Sequence, residues 1–494
     1  MKNDMSRQVL WGVGIALMLS LAMHLPFLNL PPYSQHVWRQ TSTLNVADNF
    51  YEESMNIFLP RVNQRYDGDG ITGAPFPLYE WVLASSYHIF GNQFWLHRSL
   101  SWLLTVMGAF AMFTLAKRWW KIEMAALAAF VFYLFSPELF YDGWIALPDT
   151  MALAFCLWGL IHFERFWNDG KQNSIWISGV FFMLGGAVKL QYLGIGFIPL
   201  GMLIRDRNKL NLPVMLQLAL FGGLAVLPAL AWYRYSAGLI EKSGLADFGL
   251  ELKPADSLEM ALNVVQKNLI SDIPEVILGF VAFAGFLLCF FLFLRNPDRF
   301  KHPLFLPILV FSLGFLVYHL LELRVLELHQ YYMLPYLTIL IPLAAKGITS
   351  LSRGKWSLLV VFLLLQITIT GFRMIPSRFA GEDKMIHPAF WDEDSREALR
   401  NCIPDSSLVL TGPDDSRCIN FYFLHKKGWA YGSVEELFVQ HDDGTNMDDA
   451  MRGNCEYLMT SDTHIEQSLL APYLKEQVYY NNGISVYRLR PPEE

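Results

Sequence analysis

Charge is what this sequence has least of. Of its 494 residues, 17% are Asp, Glu, Lys or Arg, against about 25% in soluble globular proteins. The formal charge is −7, from 38 basic and 45 acidic side chains. No polycationic face for phosphate backbones is available at that balance, and no long block of one sign marks a disordered tail. Cysteine is scarce as well, with 5 residues and no pair at zinc-finger spacing. Cys156 and Cys289 fall in apolar runs and are expected to be small fillers. Cys402, Cys418 and Cys455 lie in a polar terminal segment. Cys402 and Cys455 each shortly precede an expected strand, so a disulfide between them with Cys418 free is expected if those strands are parallel neighbours.

Apolar residues fill the space that charge leaves. They make up 53% of the chain, with aromatics at 15%, and mean hydropathy is +0.29. That value is modest for a pure bundle of spanning helices, and the polar balance sits after about residue 373. Eleven apolar runs precede it, near 9–28, 97–116, 122–138, 148–166, 174–188, 192–204, 211–233, 274–294, 303–320, 331–345 and 355–372. Several approach the length that crosses ~30 Å of hydrocarbon as a helix, while three fall below ~17 residues and leave room for a re-entrant pair. The first run continues into Pro31 and Pro32 without a small-residue cleavage site, so it is expected to be retained.

Basic residues mark alternate connections: Lys117, Arg118 and Lys121; Arg165 and Lys171; Arg205, Arg207 and Lys209; Arg295, Arg299 and Lys301; Lys346, Arg353 and Lys355. The positive-inside rule makes those loops and the N-terminus cytoplasmic. Eleven spans then put residues 373–494 on the outer face. The division expected is a transmembrane domain over 1–372, with outer loops 29–96 and 234–273, followed by a small α/β domain over 373–494. In the first loop, 41–53 reads as an amphipathic helix in the membrane interface, and Pro77 opens a second helix over 78–90, too short to span. In the terminal segment, helices are expected over 394–402 and 415–425. Strands are expected over 408–411, 428–431 and 456–460, with 478–480 and 484–488 flanking the turn at Asn481, Asn482 and Gly483.

Ionisable groups at the outer mouth of a bundle are functional candidates by default. The first loop holds His36, Arg39, Asp67, Asp69 and Glu80. Glycines flank Asp67 and Asp69 and favour an ordinary turn there, while Arg39 also suits a lipid headgroup. Asp149 opens the fourth run after Pro148, where an acid complements the helix dipole. Lys189 ends the fifth run beside Gly185 and Gly186, away from the basic clusters. Glu327, His329, Gln330, Tyr331 and Tyr332 form a polar knot on the same face. An imidazole, phenols and two cations at one mouth suit a phosphate.

Several segments carry a resemblance. They are His36-Val-Trp-Arg-Gln-Thr-Ser-Thr-Leu-Asn-Val-Ala-Asp-Asn-Phe50, Gly73-Ala-Pro-Phe-Pro-Leu-Tyr79 and Tyr87-His-Ile-Phe-Gly91. With them go Leu147-Pro-Asp-Thr150, Ala187-Val-Lys-Leu-Gln191, His329-Gln-Tyr-Tyr332 and Phe421-Tyr-Phe-Leu-His-Lys-Lys-Gly-Trp429. Together they resemble the GT-C membrane glycosyltransferases, more narrowly the bacterial branch of glycosyltransferase family 39. That family includes the lipid A aminoarabinose transferase and the protein O-mannosyltransferases.

The resemblance implies a polytopic enzyme of the bacterial inner membrane with a periplasmic terminal domain. It implies transfer of a sugar from a polyprenyl-phosphate donor to a glycolipid, glycan or protein acceptor, with inversion at the anomeric carbon; a divalent metal is left open as a cofactor. Arg39, Lys189 and His329, with Tyr331 and His36, are expected to converge on the donor phosphate. Where relatives set an acid, this sequence has Ser34, Gln35, Ser42 and Pro75. The base is therefore sought among Asp67, Asp69 and Glu80, with Asp69 foremost and Asp149 orienting the acceptor or the partner of the base. Two other readings stay open: a secondary transporter, which visible internal repeats would favour and none appear, and a silent relative that binds glycolipid.

Overall fold

The structure is a computed structural model that describes residues 6–66, 68–245, 252–379, 386–441 and 444–490. Two compact units emerge, each assembled from separated stretches of chain. The first comprises Met1–Leu28, His97–Tyr233 and Leu250–Ala380; the second comprises Asn29–Leu96, Arg234–Gly249 and Gly381–Glu494. The first outer loop thus folds with the terminal segment.

The first unit is helical, but several apolar runs are split between two helices, 122–138 at residues 135–136 and 274–294 at residues 278–279. Among the described residues five helices are long and apolar enough to cross a membrane: Arg7–Phe27, Phe94–Trp120, Leu212–Ser243, Gln330–Leu351 and Trp356–Phe379. A sixth is obtained by joining Leu258–Ile277 to Phe280–Arg295, a pair bent by 118°. Others, such as Glu123–Leu134 and Ser174–Val188, are shorter. The bend turns on Gly279, whose φ of 76° lies in the region glycine favours. A break in apolar surroundings frees carbonyls that need donors. Gln366 supplies them, donating to Leu278 O at 3.0 Å and Phe135 O at 2.8 Å while 1% exposed. Helix Leu212–Ser243 runs well past residue 233, where a connection was expected to begin.

The second unit contains a five-stranded sheet. Its strands are β1 (Leu408–Gly412), β2 (Gly428–Ala430), β5 (Cys455–Thr460), β6 (Leu474–Asn481) and β7 (Ile484–Leu489), while β3 (Gln440–His441) and β4 (Gly444–Thr445) form a separate ribbon. The order is β2-β1-β5-β7-β6, with β2, β1 and β5 parallel and the rest antiparallel. Apolar residues line the strands, and Leu410, Leu458 and Trp429 are at most 1% exposed. Although β1 and β5 are parallel neighbours, Cys402 and Cys455 are not bridged, and all five cysteines are free. Cys402 ends helix Glu393–Asn401 with its Sγ turned back to Leu399 O at 3.2 Å, whereas Cys455 is buried with its Sγ near Leu408 O.

A second correction concerns the helix expected in the membrane interface. It spans Val37–Glu52 and is buried along most of its length, polar positions included: Thr43, Asn45, Asp48 and Asn49 are all at most 5% exposed. These groups bond within the unit. Asn45 donates to Cys418 O at 3.0 Å, and Asn49 donates to Asn63 Oδ1 at 2.7 Å. Gln64 forms a parallel bridge with Gly428, so the loop extends the edge of the sheet. Helix Leu78–Phe90 lies where expected.

Ion pairs close this junction. His425 Nε2 stands 2.8 Å from Glu52, Lys427 reaches Glu52 at 3.3 Å and Glu53 at 2.5 Å, and Arg65 reaches Glu53 at 2.7 Å. The Glu52 hydrogen bond raises the pKa of His425 above its usual value, and burial pushes the Asp48 carboxyl up to about 7. Both groups bind protons more tightly folded than unfolded. Their contribution is complete at low pH and declines as pH rises, from the ordinary Asp range to about 7 for Asp48 and through the raised pKa for His425. Thermal melting of the full-length protein is therefore expected at lower temperature at pH 8 than at pH 6. His425→Gln is expected to shrink that difference, and an unchanged difference in the variant contradicts the assignment.

Candidate functional site

Asp149 begins helix Asp149–Asp169 and is wholly buried. A buried carboxylate requires a counter-charge and hydrogen bonds. Lys189 Nζ lies 2.9 Å from both Asp149 oxygens, and Tyr192 OH donates to Oδ1 at 3.1 Å. Helix Ser174–Val188 ends just before the lysine, which takes an extended conformation with φ −156° and ψ 113°. Its ammonium faces two aromatic rings, Tyr331 at 4.6 Å and Tyr332 at 4.4 Å to the centroids, positions that suit cation–π attraction. The His329 ring is 5.5 Å from that of Tyr331. Of the residues expected at the phosphate, Lys189, His329 and Tyr331 thus stand together in the first unit, joined by Asp149, whereas Arg39 and His36 belong to the second. An ammonium has three donors, and one of them goes to Asp149 Oδ2.

Tyr192 belongs to this assembly and escaped the sequence reading, because it looks like one more aromatic in an apolar run. Asp142 escaped it too. It closes the short helix Pro137–Asp142 and is fully buried. Burial first, then the charges of Glu138 and Asp149, hold its carboxyl well above the usual range.

The second unit carries the other candidates. Arg39 lies in the first turn of helix Val37–Glu52, half-buried, and His36 precedes that helix, buried, with φ 59°. Glu80 stands in the first turn of helix Leu78–Phe90 and is 9% exposed. Burial pushes its carboxyl up to about 7, against the pull of its own backbone N–H and of the Arg39 guanidinium. Asp69 is differently placed. Its side chain is 64% exposed, Oδ1 accepts from Ile71 N at 3.0 Å, and Oδ2 lies 4.0 Å from Arg61. That is the ordinary turn arrangement. Asp67 lies outside the described residues. Among the described residues no group of three or more His, Cys, Asp or Glu is placed to hold a metal ion.

Residues 74–232 match the family model described as dolichyl-phosphate-mannose-protein mannosyltransferase. ArnT from Cupriavidus metallidurans superimposes over 97% of each chain, with a TM-score of 0.63 in the apo state and 0.66 bound to undecaprenyl phosphate, at 12% identity. The chain has the GT-C fold. The same fold relates it to the oligosaccharyltransferase AglB of Archaeoglobus fulgidus, at 12% identity and TM-score 0.59 over 93% of this chain and 70% of that one. It also relates it to the mycobacterial arabinofuranosyltransferase AftD, at 15% identity and TM-score 0.55 over 98% of this chain and 42% of that one. No curated protein matches the sequence. Its fold is therefore that of ArnT, and residues 74–232 are similar in sequence to the protein mannosyltransferases.

Proposed function

We propose that this GT-C protein transfers a sugar from a polyprenyl-phosphate donor to an acceptor hydroxyl at the outer face of the bacterial inner membrane, with inversion. The observation that carries the reading is the end-to-end likeness to ArnT, a relative solved with undecaprenyl phosphate bound. Glycolipid, glycan and protein acceptors each offer such a hydroxyl.

In this reading the acceptor oxygen attacks the anomeric carbon while the bond from that carbon to the phosphate oxygen breaks. The electron pair leaves with the polyprenyl phosphate, and the acceptor proton passes to a carboxylate. Glu80 is assigned as that base. A base works best with a pKa near the working pH, and Glu80 alone of the described loop candidates combines burial with a value of about 7. Asp69, tied into its own turn, is set aside. The leaving phosphate develops charge that fixed donors stabilise. Lys189, His329 and the Tyr331 hydroxyl, grouped in the first unit, are assigned to it; Arg39 in the second unit is assigned separately to recognition of the donor lipid, with His36 at the start of its helix. Asp149 holds Lys189 in position. The N-terminus is assigned to the cytoplasm and residues 373–494 to the outer face.

Donor-side recognition is testable without knowing the sugar. Undecaprenyl phosphate is expected to raise the melting temperature of the purified protein, while undecaprenol, which lacks the anion, has little effect. Arg39→Lys is expected to weaken the shift, because a point charge cannot reproduce a bidentate contact. Equal shifts with both lipids argue against the phosphate assignment.

A further inference from the structure

Strands β2, β1 and β5 run parallel, with β1 in the middle. From β1 the chain passes through helix Ile419–Leu424 to β2 on one side, and from β5 it continues to β6 and β7 on the other. The carboxyl ends of β1 and β5 therefore mark the point where strand order reverses. Connections that leave neighbouring strands in opposite directions open a crevice, and open α/β sheets bind ligands there. In this domain the crevice is a cleft of about 470 Å³, within the size range of small-molecule sites. Pro413 follows β1, Tyr431 to Glu435 follow β2, and Asp462 to Ser468 follow β5, so all three parallel strands contribute a wall.

The chemistry of the lining separates ligand classes. Its polar groups are Ser433, Glu435, Asp462, His464, Gln467 and Ser468, with no Lys or Arg among the lining residues. Phosphate sites at such crevices depend on backbone N–H groups at a helix start and on cations. Here β1 runs into Pro413, which has no N–H, and the acidic residues Glu435 and Asp462 are part of the lining. Arg417 nearby is directed to Glu436 at 3.9 Å. Nucleotides and phospholipid headgroups are repelled by this arrangement. Hydroxyl groups are not: a carboxylate accepts several O–H donors, and an amide and an imidazole both donate and accept.

The acceptors are held in place. Asp462 Oδ1 takes the backbone N–H of His464 at 2.8 Å, and the Asp462 N–H donates to Thr460 Oγ1 at 3.0 Å. Tyr431 OH donates to the same Thr460 oxygen at 3.2 Å, linking the β2 and β5 walls. Gly432 N–H donates to Glu436 Oε2 at 3.0 Å, and a Cβ at this position would approach Asp415 Oδ1 to 2.4 Å. Only glycine lets the backbone pass there without displacing an acid.

We infer that this cleft of the terminal domain binds an uncharged carbohydrate, independently of the residues assigned to sugar transfer. The inference does not rest on the transferase reading, and its test contains no lipid donor. Full-length protein in nanodiscs is titrated with methyl α-mannoside, methyl β-glucoside, methyl β-galactoside and N-acetylglucosamine, followed by saturation-transfer NMR, with sodium phosphate as the anionic comparison. At least one sugar is expected to bind saturably. Asp462→Asn and Glu435→Gln are each expected to weaken it by about tenfold, the scale of one hydrogen bond to a charged group. Glu476→Gln on β6, outside the lining, is expected to leave binding unchanged. If Asp462→Asn melts early, the exposed Glu435 decides through its own variant. No binding by any of the sugars, binding indifferent to both substitutions, or phosphate binding tighter than every sugar overturns the inference. Failure of the transfer assay leaves these titrations unaffected, so the two readings fail separately.

Discussion

Lys189→Met is expected to destabilise the protein by about 3–5 kcal/mol, the scale for stripping one partner from a buried ion pair, and to reduce transfer by about 10²-fold or more, the loss seen when one fixed donor to a developing anion is removed. The reason is geometric. Asp149 has no exposed surface, and both its oxygens lie 2.9 Å from the Lys189 ammonium. With the lysine gone, the Tyr192 hydroxyl still donates to that carboxylate but carries no charge to balance it. The double variant Lys189→Met with Asp149→Leu removes both charges, and is expected to recover much of the stability without recovering transfer. Thermal or denaturant melts beside a transfer assay make the comparison. Recovery of both together would make Lys189 purely structural.

Glu80→Gln is expected to lower turnover by about 10²- to 10⁴-fold, the range for loss of a general base, while undecaprenyl phosphate still binds. The amide keeps the shape of the acid and cannot take the proton. A base acts when deprotonated, so wild-type kcat/KM is expected to rise with pH through about 7, and the variant is expected to lose that limb. Stability has the opposite sign. Because the folded pKa of Glu80 is raised, its contribution declines as pH rises from about 4.5 to about 7. The variant should therefore melt no earlier than wild type at pH 8. A variant that melts normally and transfers at the wild-type rate removes Glu80 from the mechanism.

The parts legible in the sequence were those set by local periodicity and breakers. Pro77 and Gly91 bracket helix Leu78–Phe90, and the apolar runs of β1 and β5 marked strands, whose parallel pairing only the fold reveals. The Val37–Glu52 helix was misread because its polar residues looked solvent-facing. Their partners, such as Cys418 O, lie some 370 residues later in the chain, and no local pattern reports such a distance. Asp69 looked poised on a glycine-flanked loop, yet the same loop supplies the Ile71 N–H and Arg61 that occupy it. The opposite happened with Asp149. A helix-start reading explained it adequately, and only the fold brings Lys189 and Tyr192 to its oxygens. The segment 421–429, read from the sequence as the end of a helix and the start of a strand, contains His425 and Lys427, which tie the terminal domain to the first loop.

The most direct measurement is the fate of a radiolabelled sugar presented on undecaprenyl phosphate to membranes containing the protein, across a panel of donor sugars and native envelope acceptors. Label is predicted to leave the lipid for an acceptor with wild type and to stay on it with Glu80→Gln. Label that stays on the lipid with wild type for every donor, while undecaprenyl phosphate binds normally, would contradict a transferase and leave a glycolipid-binding protein.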